Sequence, residues 1–214
     1  MANNRKKSKI PSPVLRRLTK YLSYIQGLKK TGEDWIFSHE IAGALGLTSS
    51  TVRQDLSFIE FSGISKRGYE LAGLEKILTE VLGSDSKWNV VIVGAGNLGR
   101  ALARHNEFRE KGFNICGFFD KSLDKIGRRA GRLVILHTRK LREFIKRNNV
   151  AIGIITVPNS AAQEVADMLV VSGVKGILNF TSAHIVVHRR VAYVEARIVA
   201  CLHELSHAIK MIKS

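Results

Sequence analysis

The chain has 214 residues, of which 45% are hydrophobic, and carries a formal net charge of +16. That length allows one large domain or two small ones, and the apolar fraction excludes a disordered chain. No apolar run reaches the roughly 18 residues of a membrane span, and the polar N-terminus lacks the apolar stretch of a signal peptide. The two cysteines are isolated, which argues against disulfides and cysteine zinc sites and predicts a cytoplasmic protein. The excess positive charge predicts a polyanionic partner such as nucleic acid, with a solvated basic surface as the alternative.

A basic N-terminal arm leads into an amphipathic helix. Residues 1–30 hold nine Lys or Arg side chains and no acid. Ser12 before Pro13 is a favourable helix start, with Ser12 as the cap. Apolar residues then recur at the helical period, which predicts one buried face. Its members are Val14, Leu15, Leu18, Tyr21, Leu22, Ile25 and Leu28. Arg16, Arg17 and Lys20 lie on the opposite face.

The next segment has the helix-turn-helix pattern, whose second helix enters the DNA major groove. Ser38 is expected to cap the first helix, and Gly46 is expected to end it in a left-handed conformation. Thr48 is expected to cap the second helix, in which Val52, Leu56 and Ile59 form the buried stripe. The inward positions of the first helix are Ile41, Ala44 and Leu45. The exposed leading face of the second is Ser49, Ser50, Arg53, Gln54 and Ser57. A plain three-helix bundle is the alternative interpretation.

Residues 63–71 are expected to form a hairpin with Lys66 and Arg67 at its tip. A hairpin after a recognition helix is a wing whose basic tip contacts phosphate or minor groove; an ordinary solvated hairpin is the alternative. A fourth apolar helix then ends at Gly83. We therefore divide the chain into a winged-helix DNA-binding domain (1–83), a Rossmann dinucleotide-binding domain (84–195) and a C-terminal helix (196–214).

The second domain opens on a dinucleotide-binding fingerprint. A β-branched strand, Val90 to Val93, leads into a G-x-G-x-x-G turn and a helix, and a second strand ends at Asp120. The helix N-terminus would bind the pyrophosphate, and Asp120 would accept hydrogen bonds from the adenosine ribose. Asp120 also favours NAD(H) over NADP(H), although the neighbouring Lys121 weakens that preference. The expected adenine-half residues are Gly94, Ala95, Gly96, Asn97, Leu98, Gly99, Asp120 and Lys121.

Strand–helix alternation continues and indicates a parallel sheet, so the fold class is α/β. Strands at 150–157 and 174–180 flank a helix over 160–172, with a third strand expected at 133–136. Ligands bind at the carboxyl ends of such strands. The expected nicotinamide contacts are Thr156, Val157, Pro158, Asn179 and Phe180, with ordinary turns at strand ends as the alternative. The last helix carries an apolar stripe from Ile198 to Ile212, which predicts either packing within the domain or a dimer contact.

An H-E-x-x-H sequence lies on the last helix, at His203, Glu204 and His207. A zinc enzyme also needs a third ligand, and none of the residues after His207 offers one, so we expect no metal site. An NAD-dependent dehydrogenase is the alternative function. His184 and His188 are the only nearby proton donors, and little chain is left for a substrate domain, so we expect no enzyme.

The combination of basic winged helix, small NAD-binding domain and terminal helix resembles the Rex family of redox-sensing transcriptional repressors. Nearly the whole chain takes part in the resemblance. Its most specific segments are Leu15–Leu18 with Tyr21-Leu22, Val52–Ser57, Gly68-Tyr69, Gly94–Gly99, Phe119-Asp120, Thr156–Pro158 and Lys175–Phe180.

The resemblance implies a homodimer that binds a palindromic double-stranded DNA operator and is released by NADH, while NAD⁺ competes without releasing it. It implies that the terminal helices are swapped between subunits, that Arg53 contacts bases and that Lys66 and Arg67 form the wing tip. A DNA binder with a vestigial nucleotide site is a further alternative. With the exposed leading face of the second helix, the expected DNA contacts are Arg16, Arg17, Ser49, Ser50, Arg53, Gln54, Ser57, Lys66 and Arg67.

The chain departs from the family pattern at several positions. Gln54 replaces a lysine, Ser182 replaces a proline, and the wing at residues 64–67 is poorer in glycine. Arg197 lies where the resemblance implies an acid that pairs across the dimer near the nicotinamide, and Glu195 is two residues away. The last departure bears on the redox response more than on DNA or dinucleotide binding.

Overall fold

The computed structural model describes residues 10–212, without the side chain of Lys30, and this part forms two compact units that divide between Ser86 and Lys87. The boundary expected after residue 83 lies close to that division. The basic arm at residues 1–9 lies outside the described residues. Between residues 10 and 212, no helix is both long and apolar enough to cross a membrane.

Within residues 10–86, the first unit is helical with a small sheet. Its helices are α1 (Ser12–Leu28), α2 (Ser38–Leu45), α3 (Ser49–Ser57) and α4 (Leu71–Leu82). Strand β1 (Trp35–Ile36) pairs antiparallel with β2 (Tyr69–Glu70). The apolar stripe of α1 is buried, as its period predicts, and packs against the stripes of α3 and α4. The fully buried members of this core include Leu18, Tyr21, Ile25, Ile41, Val52, Leu56, Leu74 and Leu78.

The helix ends of the first unit follow local chemistry. Gly46 and Gly83 adopt left-handed conformations after α2 and α4, with φ of 65° and 66°. The hydroxyl of Thr48 caps α3 by accepting from the backbone N–H of Thr51 at 3.1 Å. All three ends agree with the sequence prediction.

Two predicted caps and one predicted core position are wrong. Ser12 and Ser38 are the first helical residues rather than the caps, because Pro11 and Phe37 hold the extended conformations that precede the helices. At α2 the capping hydrogen bond runs from the N–H of Phe37 to the carboxylate of Glu40, at 2.7 Å. Ala44 is exposed and Ala42 is buried, since α2 turns its Ile41–Ala42 face inward.

The second unit is an α/β sheet with helices. The strand order is β5-β6-β4-β3-β7-β8-β9, and every pairing is parallel except β5 with β6. The strands are β3 (Trp88–Val93), β4 (Phe113–Asp120), β5 (Arg129–Ala130), β6 (Leu133–His137), β7 (Ile152–Ile155), β8 (Gly176–Asn179) and β9 (Ala192–Glu195). The helices are α5 (Asn97–Arg104), α6 (Glu107–Glu110), α7 (Leu141–Arg147), α8 (Ala162–Ser172) and α9 (Ile198–Ile212).

The central strands β3, β4 and β7 are largely buried, because both faces of the sheet support apolar clusters. Strands β7 and β8 are shorter than predicted, and the helix expected from residue 160 begins with a 3₁₀ turn before α8. The short strands β5 and β9 at the two edges were not predicted. Their two and four residues are too few to produce a clear alternation of apolar and polar side chains.

Candidate functional site

The recognition helix α3 is fixed to α1 by a buried carboxylate. Asp55 is 1% exposed and lies on the inner face of α3. Its Oδ2 and Oδ1 accept hydrogen bonds from Nε and Nη2 of Arg17 at 2.6 and 2.7 Å. Its Oδ2 also accepts from the hydroxyl of Tyr21 at 2.6 Å. This bidentate pairing raises the pKa of the Arg17 guanidinium. Burial and the hydrogen bond to Asp55 raise the pKa of the Tyr21 hydroxyl.

This contact changes the interpretation of Arg17. Arg17 was expected to contact DNA, but its guanidinium group donates to Asp55 within the same domain. A guanidinium held in this way positions the recognition helix. Arg16, its neighbour on α1, is exposed on the surface.

Arg53 lies on the exposed side of α3, opposite Asp55. Its Nη1 donates to the hydroxyl of Ser38, at the start of α2, at 3.2 Å. Both line a groove of about 460 Å³ that also includes Ser57, Glu60 and Lys66, so the recognition helix and the wing face one concavity. Of the other expected contacts, Ser50 and Gln54 are exposed and Ser49 is half-buried.

The wing is a tight turn closed by Ile64 and Gly68. Their backbone groups exchange hydrogen bonds of 2.7 and 2.9 Å. Lys66 forms the tip in a left-handed conformation, with φ of 63°. The guanidinium carbon of Arg67 lies 4.1 Å from the ring centre of Trp35, a cation–π contact. The hairpin predicted over residues 63–71 is thus reduced to this turn, since β2 pairs with β1 instead and α4 begins at Leu71.

A cavity of about 460 Å³ lies at the carboxyl ends of β3, β4 and β7. That size is typical of small-molecule sites. Nine of the residues predicted to bind the dinucleotide line it. They are Gly94, Gly96, Asn97, Leu98, Asp120, Lys121, Thr156, Val157 and Pro158.

The glycine turn has the geometry that a tight strand-to-helix connection requires. Gly94 has φ of 112°, and an added Cβ would lie 2.5 Å from the carbonyl oxygen of Thr156. An added Cβ at the buried Gly99 would overlap the carbonyl oxygen of Gly94. Gly96 is open, since a Cβ added there would meet nothing within 4 Å. The space beside Gly96 is therefore free for a ligand at the N-terminus of α5.

Asp120 is held at the end of β4 by three donors. Its Oδ2 accepts from the N–H of Ala95 at 2.6 Å and from Nζ of Lys125 at 3.2 Å. Its Oδ1 accepts from the N–H of Ser122 at 2.9 Å. Burial alone would raise the pKa of Asp120, but these donors outweigh it and lower the pKa below its ordinary value. The carboxylate therefore stays ionised and forms an ion pair with Lys125.

Asp120→Asn is expected to make the free energy of unfolding depend less steeply on pH in the acid range. A folded-state pKa below the unfolded value stabilises the fold above about pH 4, and this contribution is lost as the pH falls through the folded pKa. Urea denaturation between about pH 5 and pH 3 should thus show a shallower loss of unfolding free energy in the variant. Asp167→Asn, which changes an exposed carboxylate of α8, is the control. Equal slopes for Asp120→Asn and the unaltered chain would contradict the expectation.

The predicted nicotinamide contacts fall into two groups. Thr156, Val157 and Pro158 line the cavity, and the hydroxyl of Thr156 donates to the carbonyl oxygen of Gly94 at 2.8 Å, which ties β7 to the glycine turn. Asn179 is fully buried at the end of β8, and Phe180 packs in the core. Neither lines the cavity, so a contact between these two side chains and a cofactor stays a prediction.

The cavity also has lining residues that sequence reasoning missed. Lys125 and Ser122 follow Asp120 in the chain, and their proximity to the fingerprint acid was an available signal. Glu164 and Met168 lie on α8, where no sequence motif marks them as cavity residues. The missed residues are Val93, Ser122, Lys125, Thr138, Ala161, Glu164, Val165 and Met168.

The terminal helix α9 contributes no buried residue. Its apolar side chains, Ile198, Val199, Leu202, Leu205 and Ile209 among them, are all exposed. His203, Glu204 and His207 are also exposed on this helix. Among residues 10–212, no three His, Cys, Asp or Glu side chains come together in a way that could hold a metal ion.

The comparisons with known proteins cover nearly the whole chain. The "Redox-sensing transcriptional repressor Rex" of Carboxydothermus hydrogenoformans is 45% identical over 172 residues, which are 80% of this chain and 83% of that protein. The chain belongs to the Rex family. A crystal structure of RSP in complex with beta-NAD+ and operator DNA superimposes with a TM-score of 0.89 at 33% identity, covering 96% of this chain and 95% of that one. RSP in complex with beta-NADH gives a TM-score of 0.86 at 33% identity, covering 96% and 97%.

Two family models divide this Rex family chain as its structure does. A putative DNA-binding protein N-terminus matches residues 9–57, and a CoA-binding domain matches residues 85–183. The predicted family and fold class are thus confirmed. The Rex relatives are named as repressors rather than as dehydrogenases, which agrees with the prediction that the chain is not an enzyme.

Proposed function

We propose that this chain is a transcriptional repressor that binds operator DNA as a homodimer and is released by NADH. The observation that carries the proposal is the pairing, in one chain, of an exposed Arg53 on a recognition helix with a glycine-lined cavity that ends at Asp120. An enzyme would not need the first, and a simple DNA binder would not need the second.

For the DNA face, we propose that Arg53 and Gln54 read base edges and that Ser50 and Ser57 contact the backbone. Arginine and glutamine offer the paired hydrogen bonds that distinguish bases in the major groove, whereas hydroxyl groups suit phosphate. Lys66 at the exposed wing tip and Arg16 on α1 supply further phosphate contacts. Arg17 acts through Asp55 as a positioning residue.

For the cofactor, we propose that NAD(H) places its pyrophosphate at Gly96 and Asn97 and its adenosine ribose at Asp120. The ionised Asp120 repels a 2′-phosphate, although Lys125 offsets part of that repulsion. Release by NADH requires that NADH bind the DNA-incompetent arrangement more tightly, because only differential affinity shifts an equilibrium. Relatives named as redox-sensing repressors, and RSP complexes with both NAD⁺ and NADH, support this assignment.

We also propose that α9 completes the homodimer by packing against the partner subunit. The support is its exposed apolar stripe, which the described part of its own subunit does not bury. The protein would act in the cytoplasm, where both DNA and dinucleotides are present. The reducing conditions of the cytoplasm also suit its two free cysteines.

A gel-shift titration on a palindromic operator tests the proposal. The full chain is incubated with DNA at fixed salt concentration, and NADH, NAD⁺ and NADPH are added separately. NADH should release the DNA at lower concentration than the other two. Binding that is indifferent to all three would favour a vestigial nucleotide site, and hydride turnover without specific DNA binding would favour an enzyme.

Arg53→Ala is expected to weaken specific operator binding by about 1–3 kcal/mol, because a base-reading pair of hydrogen bonds is lost. Binding to unrelated DNA should change much less. Fluorescence anisotropy with operator and scrambled DNA measures both. Lys76→Ala, on the exposed side of α4, removes the same charge in the same unit and serves as control. Unchanged discrimination between the two DNAs would refute the role of Arg53.

A further inference from the structure

The positive charge of the second unit is concentrated in one half of its sheet. Residues 100–147, which include β4, β5, β6 and α7, contain 14 Lys or Arg and five Asp or Glu. Residues 148–212, which include β7, β8 and β9, contain five Lys or Arg and four Asp or Glu. Because β5 is the outermost strand on the side of β4 and β6, the excess charge lies in the half of the unit that ends at β5.

Five arginines of this half come together around β5, and we call them the arginine edge. The turn between β5 and β6 packs against the end of α5, since a Cβ added to Gly131 would lie 3.5 Å from Cγ of Arg104. Three of the five line a recess of about 100 Å³ at this contact, and the other two lie at the start of β5. The three are Arg104, Arg109 and Arg132, the two are Arg128 and Arg129, and all five are exposed.

The arginine edge is not neutralised from within its own chain. None of its five members forms an ion pair with another residue between 10 and 212. Of the acids close to it in the chain, Glu107 lies 4.0 Å from Nε2 of His105, and Asp124 accepts a hydrogen bond from Ser122. Five guanidinium groups without an internal counter-charge repel one another and create a positive potential, which an external anion would relieve.

The dinucleotide does not account for the arginine edge. The cavity proposed for NAD(H) lies at the carboxyl ends of the strands, and none of the five arginines lines it. The recess of the arginine edge includes Phe113, the first residue of β4, and Arg132, which immediately precedes β6, so it lies at the amino ends. Guanidinium groups bind phosphate oxygens through paired hydrogen bonds, so the surface suits a ligand that carries several phosphates side by side.

We propose that the arginine edge is a second, sequence-independent binding surface for the phosphate backbone of double-stranded DNA. DNA is the polyanion that the recognition helix of the first unit already engages, so the inference rests on the proposed function and deepens it. The two surfaces divide the work, because Arg53 on the recognition helix selects a sequence, whereas the arginine edge adds affinity for any duplex.

The test combines Arg104→Gln, Arg109→Gln and Arg129→Gln in the full chain. Arg132 is kept, because its Nη2 donates to the carbonyl oxygen of Ile115 at 3.3 Å and so supports the fold. Fluorescence anisotropy follows binding to operator and scrambled duplexes of equal length as salt is raised. The affinity for both duplexes should fall about 10- to 100-fold at about 0.1 M salt. The slope of log K against log salt concentration should become shallower by about 2 to 3, since each lost phosphate contact removes about 0.9.

The control combines Lys175→Gln, Arg189→Gln and Arg190→Gln, which remove the same charge from exposed positions before β8 and β9. Both triple variants should melt like the unaltered chain, and the control should keep its affinity and salt slope. An equal loss in both variants would overturn the inference, because net charge alone would then explain it. Unchanged binding of scrambled DNA by the first variant would also overturn it, as would a loss confined to vesicles containing phosphatidylserine. Should the unaltered chain not prefer its operator while the first variant still loses affinity for scrambled DNA, the proposed function would fail and the arginine edge would stand.

Discussion

Gly99→Ala is expected to abolish dinucleotide binding and to destabilise the second unit by about 2–4 kcal/mol. The added methyl group would overlap the carbonyl oxygen of Gly94 and lie 2.8 Å from Oγ1 of Thr156. Both neighbours are fixed, because Thr156 donates to Gly94 and β7 pairs with β3. The clash can therefore be relieved only if α5 moves away from the sheet, and that movement displaces the N–H groups at the N-terminus of α5. Thermal denaturation and NADH fluorescence measure the two losses.

Gly96→Ala is the matched control for this prediction. Its added methyl group would meet nothing within 4 Å, and the φ of −79° is accessible to alanine. The free energy of unfolding should therefore stay nearly unchanged. Dinucleotide affinity should still fall, because the methyl group occupies space that the pyrophosphate needs. The expectation fails if Gly99→Ala melts like the unaltered chain, or if Gly96→Ala binds NADH normally.

Asp55→Ala is expected to destabilise the first unit by about 3 kcal/mol or more and to eliminate specific DNA binding. The substitution leaves the guanidinium of Arg17 and the buried hydroxyl of Tyr21 without their shared acceptor. Three hydrogen bonds to a buried carboxylate are lost, at about 1 kcal/mol or more each, and the buried hydroxyl of Tyr21 keeps no acceptor, whereas the partly exposed guanidinium of Arg17 can turn to solvent. The recognition helix also loses its polar contacts with α1. Urea denaturation and operator titration measure the two effects.

Two variants distinguish this network from a general effect of mutating α3. Tyr21→Phe removes one hydrogen bond and should cost about 1 kcal/mol. Gln54→Ala changes the exposed neighbour of Asp55 and should leave the stability nearly unchanged. In a double-mutant cycle, Arg17→Ala and Asp55→Ala should cost much less together than the sum of their separate effects. Additive losses would show that the two residues do not act as a pair.

Local sequence signals predicted the parts of this molecule that depend on neighbours in the chain. The left-handed glycines after α2 and α4 and the cap at Thr48 each rest on a few consecutive residues. The glycine turn and Asp120 were also predictable, because a dinucleotide fingerprint fixes strand, turn, helix and acid in order. Of the nine predicted residues that line the cavity, five consequently come from this fingerprint and a sixth, Lys121, adjoins it.

Contacts between distant segments were not predictable in the same way. Arg17 and Asp55 are separated by 38 positions, so the basic face of α1 gave no sign that one arginine points inward. Asn179 was expected at the cofactor because it ends a strand, but its amide is occupied by Tyr193 of a neighbouring strand that was itself too short to predict. Both outcomes depend on which segments pair in three dimensions.

Lys66 carries a charged side chain at a position whose left-handed backbone conformation favours glycine. A side chain in the left-handed region costs about 1 kcal/mol relative to glycine, so the turn would be more stable with glycine at its tip. Such a turn would lack the cation that we propose to contact the phosphate backbone. Selection for thermal stability alone would therefore favour glycine at position 66, whereas selection for operator binding would favour lysine.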